Sequence, residues 1–150
     1  MRSSHRLDAW QRRVLFASGT VLLASGAAWL GLHYGRGADA LPSLLEPWTM
    51  RVHGLAAFAV LFALGALAAA HVPQGWRLSH RMRWARQRGS GVALCVLAAT
   101  LALTGYLLYY FAPDPVRPAL GWLHSGLGAA MAALVAAHRR RTESRRRRAG

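Results

Sequence analysis

Lysine is absent from this chain of 150 residues, and acidic residues are scarce. All 19 basic residues are arginine, and with 5 acidic residues they give a formal net charge of +14. The single cysteine excludes a disulfide scaffold within one chain. So high a positive charge often indicates nucleic-acid binding, but 54% of the residues are apolar and the charges occur in blocks. Uncharged stretches between such blocks are typical of a polytopic membrane protein.

Four stretches contain no Asp, Glu or Arg, and each is long enough to cross a bilayer, which takes about 20 helical residues. A backbone in lipid must satisfy its own hydrogen bonds, which favours helices over strands. A soluble bundle would need a charged face on each helix, and none of the stretches has one. We therefore predict an all-α integral membrane protein, an up-down-up-down four-helix bundle in one domain. Its predicted helices cover about residues 14–34, 52–74, 90–112 and 118–138.

The arginines are distributed unevenly between the connecting segments. Sixteen lie in residues 1–13, 77–88 and 139–150, whereas three lie in the other two loops. Because Arg-rich short loops stay cytoplasmic, we predict a bacterial inner-membrane protein with both termini inside. The basic tail is expected to lie on anionic lipid, and nucleic acid is not an expected partner, since no aromatic residues interleave with its arginines.

The first stretch has an alternative interpretation as a cleaved signal peptide. Arg12 and Arg13 precede it, and the segment from Ser25 to Ala28 offers a cleavage site. However, its apolar run exceeds the roughly 7–15 residues of a signal core. A retained helix is therefore favoured.

Four of the seven histidines are ligand candidates, because ionisable residues inside membrane segments are costly and usually functional. His53 and His71 are 18 residues apart on helix 2, and His124 and His138 are 14 residues apart on helix 4. Both spacings are close to whole numbers of turns, so each helix presents its two histidines on one face. In the predicted bundle, helices 2 and 4 run in the same direction. His53 then matches His124 near the periplasmic side, and His71 matches His138 near the cytoplasmic side.

Paired imidazoles on two bundle helices suit low-spin haem iron, with one ring on each side of the macrocycle. Small residues provide the room that haem needs, and on helix 3 Gly91 and Gly105 repeat the 14-residue spacing of helix 4. Arg51 lies beside the periplasmic pair, where a cation can bind a haem propionate. Further arginines have corresponding positions near one or the other pair: Arg77, Arg81, Arg117 and Arg139.

The remaining histidines are interpreted as interfacial or solvated. His5 and His80 lie in basic cytoplasmic segments. His33 lies at the periplasmic end of helix 1 and is the main competitor for the place of His53 or His124.

Several strings within residues 50–140 resemble bacterial b-type cytochrome membrane subunits, most closely small four-helix proteins. The strings are Arg51-Val-His-Gly54, His71 with Gly75-Trp-Arg77, Ser90-Gly-Val-Ala-Leu94, Thr104-Gly-Tyr106 with Tyr109-Tyr110, and Trp122-Leu-His124 ending in His138. The resemblance implies bis-His ligation of two haem b groups. It also implies electron transfer across the bilayer between a quinone pool and a periplasmic or membrane redox partner. Such a chain is an electron-transfer subunit rather than a stand-alone enzyme.

The spacing on helix 4 resembles that of the dihaem helices of the cytochrome b family, whereas the spacing on helix 2 departs from it. The sequence is therefore compatible with two bound haems or with one. A second class of function is a non-haem four-helix membrane protein with a structural or divalent-metal-binding role. Zinc would need three or four converging ligands, whereas two pairs more than about 20 Å apart do not converge. No catalytic residue is predicted, because neither a membrane carboxylate relay nor a HExxH motif is present.

Overall fold

The computed structural model describes residues 9–37, 39–81 and 85–149, with the side chains of these residues except at positions 9, 67, 68, 70–88 and 141–149. Within this part the chain forms α-helices and no strand. The helices are α1 (Ala9–Tyr34), α2 (Leu45–Arg81), α3 (Ala85–Tyr110) and α4 (Arg117–Ala149). The predicted all-α class with four helices is confirmed.

Each helix contains a stretch that is long and apolar enough to span a membrane. These stretches are Trp10–Tyr34, Leu45–Ala66, Gly89–Tyr110 and Arg117–Arg140. The buried apolar residues of the described part are small (Ala56, Ala63 and Ala112), whereas Phe58 and Phe62 are largely exposed. Small residues inside and large apolar residues outside are the arrangement expected where lipid is the solvent. The chain is a multi-pass membrane protein.

All four helices extend beyond their predicted limits: α1 and α3 each begin five residues earlier, at Ala9 and Ala85, and the extensions of α2 and α4 are longer. α2 begins at Leu45 instead of about residue 52, because Pro47 is tolerated in a first helical turn and residue 43 caps the helix. The Ser43 hydroxyl accepts a hydrogen bond from the Leu45 N–H at 3.2 Å, and the Ser43 N–H donates to the Glu46 carboxylate at 3.3 Å. α4 continues to Ala149, since arginine is a good helix former. Charge limits where lipid can surround a helix, but it does not end the helix.

The chain divides into two units, Met1–Gln74 (unit 1) and Gly75–Gly150 (unit 2), and each is described by itself. In unit 1, Ser25 contacts His53, whereas the later residue His33 contacts the earlier Glu46. The order of contacts is reversed between the helices, so α1 and α2 are antiparallel.

Unit 2 has the same construction, and α3 packs against α4. Ser90, near the start of α3, contacts His138, and Thr104, near its end, contacts His124. Each unit is therefore an antiparallel helical hairpin, as short connections between helices predict.

Candidate functional site

The buried polar side chains of the described part share one property, which is contact with a histidine. Ser25, Glu46, Ser90 and Thr104 are buried. Each lies within hydrogen-bonding distance of the Nδ1 atom of a histidine on the other helix of its hairpin: His53 at 3.1 Å, His33 at 3.0 Å, His138 at 2.8 Å and His124 at 2.8 Å, respectively. Buried polar groups in an apolar medium need such partners. The polar interior of both hairpins is thus organised around imidazoles.

The His53 ring lies against two consecutive residues of α1. The Ser25 hydroxyl contacts Nδ1 and also donates a hydrogen bond to the Leu22 carbonyl at 3.0 Å. A Cβ atom on Gly26 would lie 3.2 Å from His53 Cε1 and 3.3 Å from Nδ1. Glycine therefore leaves the room that the ring occupies, while the serine holds its nitrogen.

The His124 ring has an equivalent environment on α3. The Thr104 hydroxyl contacts Nδ1 and donates to the Thr100 carbonyl at 2.9 Å. A Cβ atom on Gly105 would lie 3.3 Å from His124 Cε1. We call such a Ser/Thr-Gly dipeptide a ring seat: Ser25-Gly26 holds His53, and Thr104-Gly105 holds His124.

At His138 the hydroxyl contact is present, but the neighbouring glycine does not crowd the ring. Ser90 contacts its Nδ1 atom, but a Cβ atom on Gly91 would meet no heavy atom within 4 Å. Ser90 and Thr104 are 14 residues apart on α3, and so are His124 and His138 on α4. This spacing separates the two contacts by about 21 Å along the helices.

His33 has a charged partner. Its Nδ1 atom lies 3.0 Å from Glu46 Oε2, and Arg36 Nη1 lies 2.9 Å from Glu46 Oε1. The Trp29 ring stacks on the imidazole with 4.5 Å between centroids and 12° between planes. These contacts fasten the end of α1 to the start of α2. The competition of His33 with His53 or His124 as a ligand stays a prediction. In this structure the His33 ring contacts Glu46 and Trp29.

The predicted arginines contact protein groups. The Arg51 guanidinium lies 4.7 Å from the centroid of the Trp48 ring, a cation–π contact. Arg117 donates to the Leu108 carbonyl at 3.2 Å and to the Ala112 carbonyl at 2.8 Å, so it binds acceptors at and just beyond the end of α3.

Part of the predicted site lies outside the side chains that the structure describes. His71 belongs to α2, but its side chain is among those not described, and the same holds for Arg77 and Arg81. The proposed pairing of His53 with His124, and of His71 with His138, stays a prediction. So does the proposal that Gly91 and Gly105 make room for haem.

An apolar groove in unit 1 borders the seat of His53. It has a volume of about 780 Å³ and is lined by both helices, Ser25, Ala28 and Gly31 contributing from α1 and Trp48 and Thr49 from α2. The α1 side is formed largely by small residues, so a flat apolar group could approach the helix backbone here.

The hydroxyl partners of the histidines are not predicted from the sequence, where Ser25 belongs to a possible cleavage segment and Ser90 and Thr104 belong to the strings quoted above. The indication available in the sequence was the recurrence of a hydroxyl residue followed by glycine. Three such dipeptides, Ser25-Gly26, Ser90-Gly91 and Thr104-Gly105, lie opposite a histidine once the hairpins are aligned.

No protein-family model matches the chain, and comparisons with curated proteins and with solved structures found no match either. The resemblance to b-type cytochrome subunits thus depends on the strings quoted above. Among the described residues, no group of three or more His, Cys, Asp or Glu side chains is arranged to hold a metal ion.

Proposed function

We propose that this chain is a membrane b-type cytochrome that carries electrons across a bacterial inner membrane through bis-His haem b. The observation that supports the proposal most directly is the environment of the membrane histidines. His53, His124 and His138 are each bonded at Nδ1 by a buried hydroxyl. A histidine that ligates a metal usually has its other ring nitrogen bonded in this way, which orients the ring.

The residues present fit a haem group in their chemistry and in the space around them. Imidazole is a common axial ligand of low-spin haem iron. Glycine at positions 26 and 105 admits the imidazole rings where a Cβ atom would crowd them. The apolar groove beside Ser25 offers a surface of small side chains. When bound, haem b would supply a one-electron couple between ferric and ferrous iron.

In this proposal the four membrane histidines would hold the iron, His53 with His124 and His71 with His138, and the hydroxyls would orient the rings. The chain would then bind two haems, or one if the wider spacing on α2 prevents the second. Arg51 stands near the His53 end of α2, where it can exchange its contact with Trp48 for a propionate. Gly91 keeps the face of α3 open beside Ser90.

The separation within unit 2 favours haem over a shared divalent ion. His124 and His138 lie about 21 Å apart along α4, so no single metal ion contacts both. Zinc sites need three or four protein ligands at about 2.0–2.3 Å. A bis-His haem, by contrast, needs only one histidine from each of two helices.

The haem content and the absorption spectrum of the purified protein test the proposal. A pyridine haemochrome assay should give two haem b per chain, or one, and the reduced-minus-oxidised spectrum should be of b type. His53→Ala and His124→Ala should remove the same spectral component, and His138→Ala with His71→Ala the other. His33→Ala is the matched control, because that ring is bonded to Glu46, and it should keep both components. Colourless wild-type protein that carries zinc would support the alternative function instead.

Orientation and electron donor are tested separately. A reporter fused after residue 115 should be active in the periplasm, and one fused after residue 150 should not, since 16 of 19 arginines lie on the other side. Addition of a quinol to membranes should reduce the haem if a quinone pool is the partner. If only the fusion at residue 150 were active in the periplasm, the predicted orientation would be wrong.

A further inference from the structure

We propose that the hydroxyls of Ser25, Thr104 and Ser90 are positioning residues that hold His53, His124 and His138 as the tautomer protonated at Nδ1. The lone pair of each imidazole then lies on Nε2, which makes Nε2 the ligating nitrogen. The inference rests on the proposed function in naming iron as the ligated group, but the tautomer itself is a property of the protein alone.

We assign the direction of the hydrogen bond from the groups around the hydroxyl. A hydroxyl has one proton and can also accept with its lone pairs, whereas a carbonyl oxygen can only accept. The Thr104 hydroxyl oxygen lies 2.9 Å from the Thr100 carbonyl and 3.2 Å from the Leu101 carbonyl, one turn earlier. We place its proton on these carbonyls, so the oxygen, 2.8 Å from His124 Nδ1, accepts from Nδ1–H.

The same assignment applies to His53. The Ser25 hydroxyl donates to the Leu22 carbonyl at 3.0 Å, and its oxygen lies 3.1 Å from Nδ1. We place the Ser25 proton on the Leu22 carbonyl, so the Ser25 oxygen accepts from Nδ1–H of His53. We extend the assignment to His138, whose Nδ1 lies 2.8 Å from the buried Ser90 hydroxyl.

Such a bond does more than orient a ring. Donation from Nδ1–H to an oxygen increases the electron density at Nε2 and makes it a more basic ligand. A more basic axial ligand stabilises ferric relative to ferrous iron and lowers the reduction potential. The three hydroxyls would therefore lower the reduction potential of a haem held by these histidines.

The test compares Thr104→Val with Thr104→Ser in the full-length protein. Valine keeps the branched shape and removes the hydroxyl, whereas serine keeps the hydroxyl. Nitrogen-15 NMR of labelled histidine in bilayers, without added haem, reports the tautomer directly, and the His124 resonance is the one missing in His124→Ala. Wild type and Thr104→Ser should show protonated Nδ1 and unprotonated Nε2. Thr104→Val should lose that single state.

The haem-loaded protein gives the second measurement, a redox titration. Thr104→Val should shift the potential of one component upward, and Thr104→Ser should not. A ten-fold change in the preference for ferric over ferrous iron corresponds to about 59 mV for a one-electron couple. Ser25→Ala and Ser25→Thr form the matching pair for His53.

The outcomes separate the inference from the proposed function. Wild-type protein that binds no haem but shows the Nδ1–H tautomer would overturn the function and support the positioning role. Haem-bound protein with His124 protonated at Nε2, or with the same spectra and potentials in Thr104→Val and wild type, would overturn the positioning role alone. A Thr104→Ser variant that behaves like Thr104→Val would also overturn it.

Discussion

Unit 1 and unit 2 are both antiparallel hairpins with a buried hydroxyl against an imidazole, but they differ in their second polar contact. Unit 2 repeats the neutral contact 14 residues further along α3, between Ser90 and His138. Unit 1 instead has a carboxylate that binds His33 and Arg36. Among the described side chains, contacts between a hydroxyl and an imidazole thus occur in both units. The contact between a carboxylate and an imidazole occurs in unit 1.

Depth does not separate the two designs, because Glu46 and Ser90 are each the second residue of their membrane spans. A neutral polar group costs far less in hydrocarbon than an unpaired charge, and Glu46 has both His33 and Arg36 as partners. The comparison indicates that a partnered carboxylate in unit 1 and a hydroxyl in unit 2 can each join two helices near the end of a span.

The largest effect is expected from removing the charged contact of unit 1. Glu46→Ala leaves His33 and Arg36 without the acceptor that joins α1 to α2, so thermal unfolding in detergent should shift clearly to lower temperature. Asp114→Ala in unit 2 is the control, since this carboxylate is 99% exposed and 3.8 Å from Arg117. Its effect should stay within about 0.5 kcal/mol. Equal shifts for the two variants would contradict the distinction between the units.

A smaller effect is expected from filling the glycine of each ring seat. Alanine at position 26 would place Cβ 3.2 Å from the His53 ring, and at position 105 it would lie 3.3 Å from His124, so each ring must move. Crowding of this kind costs about 1–3 kcal/mol, which is offset in part by the roughly 1 kcal/mol that alanine gains over glycine in a helix.

Gly91→Ala is the matched control for these substitutions, because its Cβ would meet nothing within 4 Å. Unfolding by denaturant should rank Gly91→Ala as the most stable of the three and Gly26→Ala as the least. Gly105→Leu should also lower haem content without preventing membrane insertion. Equal stability of all three alanine variants would show that the seats do not confine the rings.

The smallest effect is expected at the arginines beside the helix ends. Arg117→Ala removes hydrogen bonds to two carbonyls at and just beyond the end of α3, worth about 1 kcal/mol together. Amide exchange at Phe111 and Ala112, which donate to the Leu107 carbonyl, should be about five-fold faster. Arg51→Ala removes a contact with an exposed Trp48 and should leave those amides unchanged. Faster exchange there in both variants would contradict a local capping role.

The helices could be predicted from the sequence, but the hydrogen-bond partners of the histidines could not. Length and absence of charge predicted four membrane helices, because lipid imposes both requirements directly. α2 begins before its predicted start because the charges of Glu46 and Arg51 interrupt the uncharged stretch without interrupting the helix. Ser25, Ser90 and Thr104 are not predicted as histidine partners, because a hydroxyl on an apolar helix does not by itself indicate which residue it contacts. Its role depends on which residue of the neighbouring helix lies opposite.

The two hydroxyl contacts of unit 2 also determine how its helices align. In lipid, an apolar side chain has nearly the same free energy against a neighbouring helix as against the acyl chains. Apolar packing alone therefore costs little free energy to break when one helix slides along the other. If α4 slid by one turn along α3 in one direction, both imidazoles would face leucines. A slide in the other direction would bring Thr100 to His124 but Arg86 to His138. The observed register is the one among these that gives each imidazole a hydroxyl, so two small side chains can specify the alignment of a membrane hairpin.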